Sequence, residues 1–186
     1  LHLDLWWRGV NVLRDSGTFQ YYAPGRPDLE KFFKTVAAHN VVQIDGANPL
    51  HLVSRFLWLP WTRATIRHYS QADDLIYFEG ELHDYHRAPW HVLHRRTVLA
   101  LEGDVWIIVD DLLGADTHRY MLRWHLHDTP VIVHADRLKL DIELAPGRFT
   151  LAMGSMTAPK RFEIVRGRDS VGAVQGFQSL YYAERQ

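Results

Sequence analysis

Hydrophobic and polar residues alternate over much of the chain, and this period of two indicates β-strands. The alternation is clearest over 137–144, where four aliphatic residues alternate with four charged residues, as in a strand with one wet face. Other strand-like segments, separated by Gly, Pro and Asp turns, lie at 2–7, 10–14, 75–85, 92–101, 105–109, 118–127, 149–153, 161–165 and 176–183. About ten short strands of this kind predict an all-β domain, a two-sheet antiparallel β-sandwich of the supersandwich type.

Three segments depart from simple alternation. Apolar residues with helical spacing follow Pro27 over 28–38, which predicts one short helix there. The segment 105–109 is apolar without interruption, so we expect a strand that is covered on both faces. The segment 49–62 carries several large apolar side chains and is predicted to be a loop that packs on another surface.

Composition narrows the class of protein. With 186 residues, 47% of them hydrophobic and 23% charged, the chain is expected to form a single domain over 1–186. A net charge of -1 gives no electrostatic reason to expect nucleic acid or an anionic membrane as a partner. The apolar runs are too short to span a bilayer. Cysteine is absent, which excludes disulfides and thiolate metal sites and fits the cytosol and the bacterial periplasm equally.

Two polar residues at predicted strand ends are candidate metal ligands. Asp15 lies in a Ser-Gly turn that ends the strand at 10–14, and His39 immediately precedes an apolar strand that begins at Val41. A carboxylate and an imidazole at two strand ends can bind one divalent ion. Taken singly, each residue is more typical of a turn aspartate or of a half-buried histidine.

The chain is rich in histidine and in aromatic residues with polar rims, with 12 histidines, 7 tryptophans and 8 tyrosines. Such residues suit a carbohydrate cleft, because sugar faces stack on rings and hydroxyls need hydrogen-bond partners. Proteins rich in β-strands favour aromatics in any case. His125 and His127 share a face if 118–127 is a strand, which is compatible with a second metal site or with a pair at a cleft rim.

Two adjacent elements and several shorter blocks resemble the heparinase II/III-like domain, the β-sandwich half of a family of bacterial polysaccharide lyases. Its members typically show D-S-G-T-Y-x-Y followed by T-A-A-H-N-T-V-x-I-D-G. Here the two elements read DSGTFQY over 15–21 and TVAAHNVVQIDG over 35–46. Further matches are HRR over 94–96, WIIVDD over 106–111, RWH over 123–125 and GFQSLYY over 176–182. The resemblance spans almost the whole chain.

The resemblance implies a divalent ion, usually described as zinc, that is held by Asp15 and His39. It places the third ligand in an H-x-H-x-D-A stretch upstream of Leu1, and the same stretch usually gives a histidine that lines the catalytic cleft. The family's N-terminal α/α toroid, which supplies much of the catalytic apparatus, is likewise expected outside these 186 residues. We therefore expect the C-terminal sandwich without its toroid partner, inactive alone and with weakened metal binding.

The resemblance further implies β-elimination on a uronic acid of an acidic polysaccharide. In this reaction the C5 proton is removed and the leaving oxygen at C4 is protonated, and tyrosine and histidine suit both proton steps. Tyr21 is the candidate catalytic residue, whereas Phe19 stands where a tyrosine is often found. Within the matching blocks, the candidate substrate-binding residues are Arg96, Trp124 and His125.

The expected function is that of the β-sandwich domain of a lyase for uronic-acid glycans, in the bacterial periplasm or secreted. The rivals are a non-catalytic module that binds a glycan or stabilises a neighbouring domain, and a protein of exopolysaccharide biosynthesis. A cupin-like metal-dependent oxygenase is disfavoured, because the H-x-H pair lacks a nearby Glu and a third His. A sandwich without its toroid would expose apolar surface, with Trp58 and Trp61 as candidates, and could pair with a second copy as a homodimer.

Overall fold

The computed structural model describes residues 1–20, 25–54, 56–170 and 173–184. Strands dominate these ranges, and the prediction of an all-β fold with one short helix is confirmed. In chain order the elements are β1 (Leu5–Trp7), β2 (Val10–Leu13), α1 (Pro27–Phe33), a 3-10 turn (Val36–Ala38), β3 (Val42–Ile44), β4 (His51–Ser54), β5 (Leu57–Leu59), β6 (Ala64–Gln71), β7 (Leu75–Leu82), β8 (Leu93–Leu101), β9 (Val105–Leu113), β10 (Tyr120–Leu122), β11 (Val131–His134), a second 3-10 turn (Ala135–Arg137), β12 (Lys139–Leu144), β13 (Gly147–Ala152), β14 (Arg168–Ser170) and β15 (Ala173–Gln175).

The strand pairs within the described residues are all antiparallel, as the sandwich prediction requires. Strands β6 to β9 form a four-stranded meander in chain order, and β11, β12 and β13 form a second meander. The other strands form the pairs β1–β2, β3–β10, β4–β5 and β14–β15. Neighbours in sequence therefore pair in space nearly throughout, and β3 with β10 is the long-range exception.

The main core lies where the two meanders meet around the β1–β2 hairpin. Leu5 and Trp7 of β1 are buried against Ile142 of β12. Strand β9 contributes Trp106, whose ring centroid lies 6.0 Å from that of Phe149 on β13. Burying each such side chain contributes about 1.5–3 kcal/mol, so this cluster holds the two layers of the sandwich together.

The short helix α1 fixes the segment that leads to His39. Pro27 begins the helix, where its missing N–H costs no hydrogen bond. Leu29, Phe32 and Phe33 share one face and are buried with Ala38 and Val174 in a second apolar cluster. Over the described residues, the helices are all too short to cross a membrane.

The strand at 105–109 departs from its prediction, because only one of its faces is covered. Val105 and Ile107 are both 46% exposed and Val109 is 42% exposed, whereas Trp106 packs into the main core. Strand β9 is the last strand of the four-stranded sheet, and only one face of that sheet packs against the second layer. The expectation of a strand covered on both faces is therefore wrong.

Four further segments also differ from their predictions. Within 118–127 only β10 is a strand, because the backbone beyond it bonds to Asn40 and to β2. Residues 161–165 and 176–183 form no strand; the latter segment instead donates the Ser179 N–H to the Ser16 carbonyl oxygen at 2.8 Å. The predicted loop at 49–62 contains the hairpin of β4 and β5.

A buried ionic network lies between β8, β9 and the start of the chain. Arg96 is 1% exposed and donates from Nε and Nη2 to the two carboxylate oxygens of Asp110, at 2.7 and 2.9 Å. Its Nη1 donates to the carbonyl oxygens of Leu1 and Asn40, at 2.7 and 2.6 Å. Burial raises the pKa of the Asp110 carboxyl, but hydrogen bonds from His94 and Arg96 outweigh burial and lower it to about 2.

We expect Asp110→Asn to destabilise the protein by about 3 kcal/mol, because it leaves the Arg96 charge buried without its counter-charge. Chemical denaturation at pH 7 measures this loss. In the unaltered protein the depressed pKa makes the Asp110 contribution complete above about pH 4, and it is lost as the pH falls towards 2.

The matched control is Asp104→Asn, which removes a carboxylate from an exposed pair with Arg8 at 3.0 Å. Exposed ion pairs contribute little, so this variant should unfold at nearly the same denaturant concentration as the unaltered protein. Equal losses in the two variants would show that the buried network contributes no more than a surface pair.

Candidate metal centre

Three side chains that could bind a metal ion come together beside the β1–β2 hairpin. They are His2, Asp15 and His39, and their ligand atoms all lie within 4.8 Å of one another. His39 Nδ1 lies 2.7 Å from Asp15 Oδ2, and His2 Nε2 lies 3.6 Å from the same oxygen. In the part of the chain that the structure describes, no other group of three such residues meets this criterion.

Each of the three residues lies just outside a regular element. His2 precedes β1, Asp15 follows β2, and His39 ends the Val36–Ala38 turn with extended backbone angles. The Asp15 side chain is fixed by the turn that follows it, because Gly17 N–H donates to Asp15 Oδ1 at 2.7 Å. This bond leaves Asp15 Oδ2 free of the turn and directed towards the two imidazoles.

Asn40 organises the surroundings of this centre. It is fully buried, and its side-chain amide donates to the carbonyl oxygens of Leu3 and Arg14 at 2.9 and 3.0 Å. Its Oδ1 accepts from the backbone N–H of His125 at 2.6 Å. One side chain thus joins the segments that carry His2, Asp15 and His39 to the strand-like segment at 125.

Protonation of the centre follows from these contacts. Asn40 N–H donates to His2 Nδ1 at 3.0 Å, so a neutral His2 ring carries its proton on Nε2, facing Asp15. Burial lowers the pKa of His2, despite the nearby carboxylate. Burial raises the pKa of Asp15, but the bonds from His39 and Gly17 outweigh it and hold the pKa below its usual range. The centre therefore combines a carboxylate with a neutral His2 at pH 7.

Two imidazoles and a carboxylate are the donor set typical of a zinc site that keeps an open position. The side chains of His2, Asp15 and His39 are 28%, 38% and 34% exposed, so solvent or substrate can reach the position between them. The rings of His2 and His39 are edge to face with centroids 5.5 Å apart. The residues present therefore fit a divalent ion.

The predicted substrate-binding residues lie next to this centre, in contact with the segments that carry its ligands. Arg96 is buried in the network with Asp110, and its guanidinium stacks over the Trp124 ring at 5.3 Å. His125 bonds through Nδ1 to Ser16 Oγ and through Nε2 to the Ala37 carbonyl oxygen, both at 3.1 Å. Burial lowers the pKa of His125 to about 4. All three side chains thus occupy supporting positions in this structure.

Two other predicted features have different outcomes. Tyr21, the candidate catalytic residue, lies outside the described residues. His127 contacts the guanidinium of Arg14 through Nδ1, whereas His125 contacts Ser16 and Ala37. The two histidines therefore have separate partners, and the cluster found among the described residues includes neither of them.

His2 is not among the ligands predicted from the sequence, because the third ligand was expected upstream of Leu1. The signal was present: His2-Leu3-Asp4 matches the second half of the H-x-H-x-D-A stretch. The position of His2 beside Asp15 depends on the bond from Asn40 N–H, which no local pattern in the sequence reports.

An antiparallel sandwich with a carboxylate and two imidazoles at strand ends defines the chain as a β-sandwich domain with a candidate metal centre. The family described as heparinase II/III-like, C-terminal, matches residues 1–176. The chain belongs to this family.

Solved structures share this fold. The heparinase III BT4657 gene product with methylated lysines superposes with a TM-score of 0.76 at 18% identity, over 98% of this chain and 25% of that chain. A mutant of heparan sulfate lyase HepC from Pedobacter heparinus gives a TM-score of 0.74 at 17% identity, over 99% of this chain and 26% of that chain. The chain spans about a quarter of the length of these proteins. No curated protein sequence matches it significantly.

We expect Gly17→Ala to destabilise the protein by about 3 kcal/mol or more, because it combines backbone strain with a steric clash. Gly17 has φ +80°, and an added Cβ would lie 2.0 Å from the Ser179 carbonyl oxygen. Thermal unfolding measures the loss. Gly9→Ala is the matched control: Gly9 has φ +81° with nothing within 4 Å of an added Cβ, so it should cost only about 1 kcal/mol. Equal losses of stability in the two variants would show that the close approach of Ser179 to the Asp15–Gly17 turn, the metal-centre turn, does not contribute to stability.

Proposed function

We propose that His2, Asp15 and His39 hold one divalent ion, with zinc as the expected metal. The proposal is supported by the donor set, by the spacing of the ligand atoms within 4.8 Å, and by partial exposure, which leaves a coordination position for water. Three protein ligands and one water complete the tetrahedral shell that zinc favours. With His2 in the set, the shell needs no further protein ligand from outside the chain.

Binding an ion would displace protons that face Asp15 Oδ2. For His2 the ring proton would have to move to Nδ1, and the bond from the N–H of buried Asn40 would be given up, at a cost of about 1–3 kcal/mol. The bond to the ion would then hold the ring in place of the bond from Asn40. Metal affinity should therefore fall with decreasing pH, because the ligands must be deprotonated to bind. The ionised Asp15 and the neutral His2 are already in the required charge states.

We propose further that the chain is the β-sandwich domain of a polysaccharide lyase that acts on uronic-acid glycans by β-elimination. Membership of the heparinase II/III-like C-terminal family carries this proposal, and the structural similarity to the heparan sulfate lyase HepC supports it. A bound ion would supply positive charge at the edge of the cleft. Tyr21 is proposed for a proton step, since it belongs to the element that begins at Asp15.

The proposal also includes a second domain and a location for the protein. Because the chain covers only 25% and 26% of the similar solved chains, we propose that it acts together with an N-terminal toroid domain in the periplasm or outside the cell. A homodimer stays a prediction. The alternative function is a non-catalytic module that binds an acidic glycan, and it differs from the lyase in the product formed.

Metal analysis of the purified protein should find about one zinc ion per chain, because the centre offers three ligands. Asp15→Asn, which keeps the size of the side chain, and His2→Ala should each lower the zinc content well below one. His51→Ala removes an exposed histidine of β4 and should leave the zinc content unchanged. Unaltered zinc content in both centre variants would contradict the ligand assignment.

Incubation of the protein at its natural length with uronic-acid glycans should produce unsaturated ends that absorb in the ultraviolet. β-Elimination leaves a double bond between C4 and C5, whereas hydrolysis leaves none. New reducing ends without this absorbance would point to a hydrolase. Binding of an acidic glycan with no cleavage would favour the non-catalytic module.

A further inference from the structure

A cavity with a mixed polar and apolar lining lies next to the β1–β2 hairpin. It has a volume of about 360 Å³, which is in the range of small-ligand sites. Trp6 and Asn11 pair across the hairpin, and both line this cavity. The side chains that matter for its chemistry are Trp6, Arg14, His127, Gln178 and Leu180.

Arg14 places a positive charge in this cavity, and the partners of that charge are neutral. Its Nε donates to the Asn11 carbonyl oxygen at 3.3 Å, its Nη1 donates to Gln178 Oε1 at 2.6 Å, and its Nη2 contacts His127 Nδ1. A guanidinium has five N–H donors, so these contacts leave two for a ligand. Burial lowers the pKa of His127, and the adjacent Arg14 lowers it further, so His127 adds no second charge at pH 7.

The nearby carboxylates do not neutralise Arg14. Asp4 accepts from the Asn11 amide, and Asp128 accepts from Arg166. Within the described residues, neither forms an ion pair with Arg14, although both raise its pKa from a distance. A buried or half-buried charge without a counter-charge is costly, and an anionic ligand would remove that cost.

The cavity also has apolar lining residues that are accessible. Trp6 is 64% exposed and Leu180 is 55% exposed. Strand alternation directs Trp6 outward, away from the buried Leu5 and Trp7 on either side. An indole and a guanidinium that line one cavity suit a pyranose ring, which presents an apolar face and polar edges.

We propose that this cavity is a binding subsite for an anionic sugar residue, with Arg14 bound to its carboxylate or sulfate group and Trp6 stacked on its ring. The inference rests on the proposed function and adds to it a second contact point for the glycan. The two sites are linked physically, because the Gln178 amide accepts from Arg14 and donates to the Asp15 carbonyl oxygen at 3.1 Å. A chain that occupied the cavity would therefore lie against the backbone of the metal-centre turn.

The test is titration calorimetry on the protein at its natural length, with an unsulfated glucuronate tetrasaccharide and its O-sulfated counterpart as probes. Arg14→Gln should weaken binding of at least one probe by about tenfold or more, as expected for loss of a charged hydrogen bond. Loss for both probes assigns the carboxylate, and loss for the sulfated probe alone assigns the sulfate. Trp6→Ala, at a position that is 64% exposed, should weaken binding of both probes.

Arg137→Gln removes the same charge from an exposed turn where Arg137 is 77% exposed, and Tyr69→Ala removes an aromatic ring that is 58% exposed. Neither should change the affinity. Wild-type affinity in both Arg14→Gln and Trp6→Ala overturns the subsite, as does an equal loss in Arg137→Gln or a failure of the unaltered protein to bind either probe. If Arg14→Gln forms unsaturated products at an unchanged KM, the subsite is contradicted and the lyase proposal stands. If Arg14→Gln and Trp6→Ala lose binding and the unaltered protein forms no unsaturated product, the lyase proposal is contradicted and the subsite stands.

Discussion

The buried charge of Arg96 is the constraint on which the arrangement of this domain depends. A guanidinium that is 1% exposed is tolerated only where its donors find partners, and here it bonds to Asp110, Leu1 and Asn40. Those partners come from the neighbouring strand, the start of the chain and the segment after His39. Satisfying one charge therefore fixes three parts of the chain relative to each other.

The metal centre inherits its geometry from this network. The Asn40 carbonyl oxygen accepts from Arg96, and its backbone N–H donates to His2. Its side-chain amide bonds to the backbone of three further residues, Leu3, Arg14 and His125. His2, Asp15 and His39 lie outside regular elements, where the backbone alone would leave them loosely placed. Their positions are held by a buried amide, while their side chains stay partly exposed. A rigid support with an accessible surface is what a binding or catalytic site needs.

The sequence predicts the parts of the fold that depend on local patterns. Alternation gives the antiparallel strands, and the spacing after Pro27 gives the helix. The uninterrupted apolar run at 105–109 misleads, because apolar composition does not reveal that only one face of the sheet is covered. The segment 118–127 misleads for a related reason: its backbone bonds are taken by Asn40 and β2, which are distant in sequence.

The sequence predicts two of the three ligands of the candidate metal centre. Asp15 and His39 follow from the family elements, and the structure brings them together. His2 was overlooked because the whole H-x-H-x-D-A stretch was expected upstream of Leu1, although His2-Leu3-Asp4 matches its second half. Arg96 is predicted from the sequence as a substrate-binding residue, whereas the pairing of β8 with β9 places it opposite Asp110, with which it forms a buried ion pair. Arg96 and Asp110 are 14 residues apart in neighbouring strands, so the residues on either side of Arg96 do not reveal its partner.

The most direct test of the metal centre is anomalous diffraction on either side of the zinc absorption edge, with crystals of the protein at its natural length grown with zinc. The account predicts one peak between His2, Asp15 and His39, at about 2.0–2.2 Å from the nitrogen and oxygen ligands. A map without a peak at these three residues, or with zinc held only by other side chains, would contradict it.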